Sequence, residues 1–190
     1  MKIRSLVTAA CLLALALPAL AQPPDAAAQE AMMKAMMPGE NHKVLGKFVG
    51  DWTFTNKMWM APDQPPVESG GTMHAEWILD GRYVHSVYKG NMMGMPFEGH
   101  GTDGYDNVGK KYVSSWIDNM GTGIMMSTGS CDANNVCTQS GDMLDPMSGQ
   151  NMTMRSVTSW LSDTSFKMEM YAKDASGSET KMMEMVGTRK

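Results

Sequence analysis

The order of apolar and polar residues changes twice along the chain. Residues 6–17 form an apolar run, interrupted by Thr8 alone, behind Lys2 and Arg4, whereas 22–37 are rich in Ala, Pro and Met. Between Gly39 and Val49, His42, Leu45 and Phe48 recur at near-helical spacing, which predicts one short helix. After Gly50 the period becomes two. Short alternating runs at 51–60, 71–79, 82–89, 97–105, 111–118, 124–131, 136–143, 151–160, 165–172 and 180–189 predict ten strands, separated by Asp-Gly, Asp-Asn and Gly-, Pro- or Ser-rich turns. Connections this short join antiparallel neighbours, because a parallel crossover needs a dozen residues or more. The arrangement that removes sheet edges is an antiparallel up-and-down β-barrel of lipocalin-like type; a two-sheet sandwich is the alternative.

Alternation then assigns faces. Phe166, Met168 and Met170 alternate with Lys167, Glu169 and Tyr171, so the first set points inward. Met58 and Met60, Met152 and Met154, and Met183 and Met185 also recur at i, i+2, and Trp52 and Phe54 share the face of Met58. In the hairpin around Asp80-Gly81, Met73, Ala75, Trp77, Leu79 and Val84 look like the interior. The candidate lining is therefore Trp52, Phe54, Met58, Met60, Trp77, Met152, Met154, Phe166, Met168 and Met170. Room for a small ligand begins at about eight strands, and ten leave more.

Composition sharpens this picture in one respect: 23 of 190 residues are Met and only 4 are Phe, so thioethers carry much of the apolar work. Hydrophobic residues make up 43% of the chain, enough to bury a core. Sixteen basic against 20 acidic residues with no basic cluster argue against a nucleic-acid surface. The charged start, the apolar run and Ala19-Leu20-Ala21 read as a signal peptide over 1–21, cleaved before Gln22, which predicts a periplasmic or secreted protein. The mature chain then carries 14 basic and 20 acidic residues, a net of −6. No stretch is long and apolar enough for a helical membrane span. The expected layout is an arm over 22–38 and one barrel domain over 39–190. Export also changes the cysteines: Cys11 leaves with the signal peptide, and Cys131 and Cys137 bracket a turn-prone stretch. They are read as a disulfide stapling a hairpin rather than as a redox or metal pair.

Three segments carry a resemblance: PGENHKVLGKFVGDW from Pro38 to Trp52, NMMGMPFEGHG from Asn91 to Gly101 and GYDNVGKKYVSSWIDNMGTGI from Gly104 to Ile124. Through them the chain resembles the bacterial family known as domain of unknown function 1579, over roughly Met36 to Lys190. The resemblance implies a small, mostly β protein and implies no activity. A broader likeness is to the calycin group of lipocalin-like barrels, in which a G-x-W motif opens the first strand after a short helix, as Gly50-Asp51-Trp52 does here. That likeness implies that Arg189, near the end of the last strand, packs on Trp52.

The candidate chemistry divides into four constellations. A turn at Asp80-Gly81 sets Glu76 opposite His85 with His74 on the same face, a possible metal set, although that face is expected to be the wet one. A haem ligand would have to be an inward His74, His85 or His100. Thioethers suit Cu(I), so Asn91-Met92-Met93-Gly94-Met95 and the paired methionines admit copper, while their spread over most strands favours core or cavity lining. The apolar loop 92–96 suggests a flap or a partner contact, or a loop tucked onto the core. Asp103, Asp106, Asp118 and Glu98 lie near turns, where carboxylates are ordinary, and the glycine-rich 99–104 precedes no helix. No nucleophile elbow, phosphate loop or zinc-hydrolase spacing is present. The reading that results is a protein binding a small apolar or amphipathic ligand in a Met- and aromatic-lined barrel. A periplasmic copper protein and an enzyme of unassigned chemistry are the alternatives, and oligomeric state is left open.

Overall fold

The computed structural model describes residues 25–61, 63–145, 148–174 and 176–190, so the expected signal peptide lies outside the described residues. Two units separate, one up to Lys34 and one over Ala35–Lys190. The first holds most of α1 (Ala26–Met36), a helix with no buried residue. The second contains α2 (Glu40–Leu45), a 3-10 turn over Gly46–Phe48 and ten strands. These are β1 (Gly50–Met58), β2 (Val67–Ile78), β3 (Tyr83–Met92), β4 (Met95–Asp106), β5 (Lys111–Asp118), β6 (Met125–Cys131), β7 (Cys137–Leu144), β8 (Asn151–Ser162), β9 (Ser165–Lys173) and β10 (Glu179–Arg189).

Each strand pairs antiparallel with its chain neighbour, and β10 returns to β1 to close the barrel. Closure leaves every strand paired on both sides, so the sandwich alternative is excluded. The strand bounds follow the alternating runs within a few residues. The main difference lies at 92–96, where the apolar residues do not form a flap: β3 and β4 run on until Met92 pairs with Met95 across a two-residue turn. Met93 and Gly94 there take positive φ of 51° and 83°, and the Gly94 amide donates to Asn91 Oδ1 at 2.8 Å. A tight turn satisfies these backbone groups, which a longer apolar loop would leave to water.

One end of the barrel is plugged. Trp52, fully buried, meets Phe166 edge-on at 5.2 Å and Trp160 at 6.1 Å, and Phe48 from the 3-10 turn packs on both of those rings. The Trp52 indole N–H donates to the Phe48 carbonyl at 2.8 Å. Arg189 lies over the Trp52 ring at 4.3 Å and donates to the carbonyls of Val49 and Lys47, each at 2.7 Å. The guanidinium thus satisfies carbonyls that the short helix cannot, and its planar face covers the indole. Gly50, at φ 126°, turns the chain into β1, and a Cβ there would stand 2.7 Å from the Arg189 guanidinium. The Gly50-Asp51-Trp52 motif is therefore the joint between helix, first strand and last strand. α2 closes the same end: Leu45 and His42 are buried, and the Tyr112 hydroxyl donates to the Asn41 carbonyl at 3.1 Å.

Cys131 and Cys137 are directly opposed and disulfide-bonded, with Cα atoms 3.9 Å apart. The turn between them is organised by Asp132, whose carboxylate accepts from the amides of Asn134 and Val136 at 2.8 and 2.9 Å.

Candidate functional site

Above the aromatic plug the barrel is hollow. A main cavity of about 300 Å³ runs towards the end of the barrel that bears the 93–94 turn, where Asn91, Met92 and Met120 line it. A smaller chamber of about 110 Å³ lies against the plug, lined by Leu45, Phe48 and Phe166. Tyr88, Asp103, Gln139, Ser156 and Met168 border both, forming a collar between the two spaces.

The walls of the main cavity differ in chemistry. β9 and β10 present four thioethers in two cross-strand pairs, Met168 with Met185 and Met170 with Met183, next to Phe54 of β1. β5 to β8 present Ser114, Ser127, Gln139 and Ser156, the last beside Met170, together with Met125 of β6, and Ser114 donates to Gln139 Oε1 at 3.0 Å. Aromatic rings also line the cavity. Tyr88 lies 5.8 Å from Phe54 and 5.2 Å from Trp116, and Phe97 stacks on Trp116 at 6.4 Å.

The glycines of β4 make the room for this arrangement. Gly99 and Gly101 face inward opposite β5, and a Cβ on Gly99 would stand 2.4 Å from the Trp116 ring, so any larger residue displaces the indole. A Cβ on Gly101 would meet Trp116 at 3.6 Å and Asp103 Oδ2 at 3.9 Å. Gly101 therefore leaves a niche flanked by the benzo ring of Trp116 and a carboxylate.

Asp103 is the unusual group. Its carboxylate makes no hydrogen bond and no ion pair among the described residues, and burial pushes its pKa up from 3.8 to about 7. Burial likewise raises the Tyr88 phenol, with the nearby Asp103 charge acting in the same direction. Asp118 differs, because its carboxylate accepts from the Trp116 indole at 2.7 Å and from the Met120 amide at 2.9 Å. Asn56, buried at the Phe54 side, holds a side-chain carbonyl with no hydrogen-bond partner. The described lining of the main cavity contains two carboxylates and no Lys, Arg or His.

The residues expected to line the interior are distributed more widely. Phe54, Met168 and Met170 line the main cavity, and Phe166 borders the smaller chamber. Trp52 is fully buried in the plug beneath it. Met58 lies on the inward face of β1, and Met152 and Met154 share the inward face of Ser156, but all three sit further along their strands than the lining residues. Met60 follows the end of β1 and is 59% exposed, because the strand stops at Met58 and alternation no longer sets its direction. Trp77 packs over Gly46 at the plugged end, with its ring 3.1 Å from a Cβ built there, and Leu79 turns out to solvent within the hairpin turn.

The histidine constellation takes another form. Glu76 does face His85 in the register, yet His85 stacks on His100 at 5.4 Å, and His100 bonds to Glu98 at 3.0 Å on the outer surface. His74 pairs instead with Asp51 at 2.7 Å. Among the described residues no group of three His, Cys, Asp or Glu side chains is placed to hold a metal, and no histidine lines either cavity. Of the collar, alternation assigns only Met168 to the interior; Tyr88, Asp103, Gln139 and Ser156 are not among the residues it selects. The spacing of Gly99, Gly101 and Asp103 at i, i+2, i+4 is the one signal in the chain that points to the collar.

Comparison with known proteins adds the family and the fold. The family described as protein of unknown function (DUF1579) matches residues 37–189. No curated protein matches the chain. The chain is similar in structure to Rv2717c from M. tuberculosis, with a TM-score of 0.55 at 12% identity, covering 81% of this chain and 99% of that one. It is also similar to a redesigned β-barrel, with a TM-score of 0.41 at 17% identity, covering 77% of this chain and 95% of that one.

Proposed function

The chain belongs to the DUF1579 family of proteins of unknown function, and we propose that in this member the barrel binds a small amphipathic molecule. The observation that carries this reading is the cavity of about 300 Å³ that combines the four thioethers of β9 and β10 with hydroxyl, amide and carboxyl groups from β4 to β8. A void among interdigitated core side chains would be lost packing, since interiors are normally filled to the density of organic crystals. A concave, mostly apolar space with a few convergent polar groups is what small-molecule sites share. Methionine suits the apolar wall because its flexible, polarizable side chain adapts to the shape of a guest.

Copper is the second reading, favoured by the four thioethers gathered on β9 and β10. Catalysis has less support. The one side-chain hydrogen bond among the cavity hydroxyls and amides links Ser114 to Gln139, which is no base, and the described lining offers no imidazole to activate a nucleophile. Export completes the proposal, on the charged start and apolar run of the first 21 residues.

A native mass spectrum of the protein purified from a periplasm, grown with and without added copper, tests these readings together. The expected result is a chain beginning at Gln22 with an organic adduct that is lost on denaturation. A copper isotope pair abolished by changing Met168 and Met185 to Leu would replace the amphiphile with the metal. A chain retaining residues 1–21 would remove the export proposal alone.

A further inference from the structure

The chemistry of the cavity is asymmetric in charge as well as in polarity. Two carboxylates face it with no cationic side chain among its described lining. Asp118 is already satisfied by the Trp116 indole and the Met120 amide, whereas Asp103 accepts no hydrogen bond. Asn56 adds an acceptor without a donor, and this one is buried. Unpaired acceptors in a low-dielectric space are unfavourable by themselves and call for a donor or a positive charge.

The aromatic groups point the same way. Tyr88 and Trp116 meet edge to face at 5.2 Å, and Trp116 also forms one side of the niche over Gly101, whose other side is Asp103 Oδ2. A cation standing in that niche would lie between the benzo ring of Trp116 and the Asp103 carboxylate, whose charge attracts an ammonium ion strongly in a space of low dielectric. An anion there would face a carboxylate with no cationic side chain in the described lining to offset it.

We infer that the ligand of this cavity is an amphiphilic organic ammonium ion, whose charged head sits in the niche between Asp103 and Trp116 and whose hydrocarbon part lies along the thioether wall. The inference rests on the proposed reading that the cavity binds a small amphiphile, and narrows it to one charge class. Gly101 is then a specificity-determining position, because it holds open the space for the head. Asp103 at the collar supplies the charge, and Met168, Met170, Met183 and Met185 supply the apolar bed.

Isothermal titration with three probes of equal chain length separates the claims: octylammonium, octanol and octanoate. The expected order is octylammonium tightest, by about tenfold or more over octanol, which corresponds to about 1.4 kcal/mol, with octanoate weakest. Asp103→Asn should erase the ammonium preference while octanol still binds, which also shows that the variant is folded. Gly101→Ala keeps the charge and meets its neighbours at ordinary contact distance; it should weaken octylammonium more than octanol. Octanoate or octanol binding as tightly as octylammonium would overturn the charge class and leave the amphiphile reading standing. So would an ammonium preference that survives Asp103→Asn. Failure of all three probes to bind would remove both.

Discussion

Replacing Asp103 with Asn should stabilise the protein, and should do so only as the pH rises. In the native barrel this carboxyl lies opposite Val84 on β3 and Ser114 on β5, with the Tyr88 phenol as its titratable neighbour and no ion pair. Burial raises its pKa from 3.8 to about 7. The native state therefore holds a proton that the unfolded chain releases between those values. The stability this proton confers is complete below the unfolded value and is lost as pH rises through about 7. At 1.36 kcal/mol per pH decade, the loss between about pH 4.5 and about pH 8 has a ceiling of about 3 kcal/mol. Asp103 borders a cavity that admits water, which relieves part of the penalty, so about half that value is expected. Asparagine has nearly the same shape and no proton to lose. Urea unfolding of both proteins at the two pH values, followed by far-UV circular dichroism, gives the difference directly, because every other titrating group is common to both. A stability advantage of Asp103→Asn that is the same at both pH values, or a variant less stable than the parent at the higher one, would refute the reasoning.

Two further predictions concern the frame. Changing Cys131 and Cys137 together to Ser removes a short covalent ring and should lower stability by about 2 kcal/mol, read from the denaturation midpoint, and ligand binding in the distant part of the cavity should survive; an unchanged midpoint would show that the Asp132 turn holds the hairpin alone. Gly187→Ala places a methyl group 2.3 Å from the Phe166 ring beside the plug, and should destabilise by about 1–3 kcal/mol through overpacking, visible as a lowered Tm; no change would mean the aromatic cluster has room to shift.

Most of the frame was legible in the chain. The alternating runs located the ten strands, the Asp80-Gly81 turn placed Glu76 opposite His85, the cysteine spacing anticipated the hairpin disulfide, and the G-x-W likeness anticipated Arg189 on Trp52. These are local features: period, turn chemistry and short-range spacing act within or between neighbouring strands, and a single sequence displays them.

The interior was legible only where it is apolar. Alternation identifies an inward face by its hydrophobicity, so Phe54, Met168 and Met170 could be assigned, while Gly99, Gly101, Asp103, Ser114 and Ser156 could not. Small and polar residues at inward positions look the same as solvent-facing ones until the last strand pairs with the first. Closure of β10 on β1 is a long-range event, and it alone makes one face of every strand an inside. It also brings β4 and β9, about 60 residues apart in the chain, to opposite walls of one cavity. The sequence by itself thus determined the strands and their order. The tertiary structure decided that a carboxylate, an indole and a bed of thioethers face the same space, because only a closed barrel gives residues so distant in the chain a common neighbour.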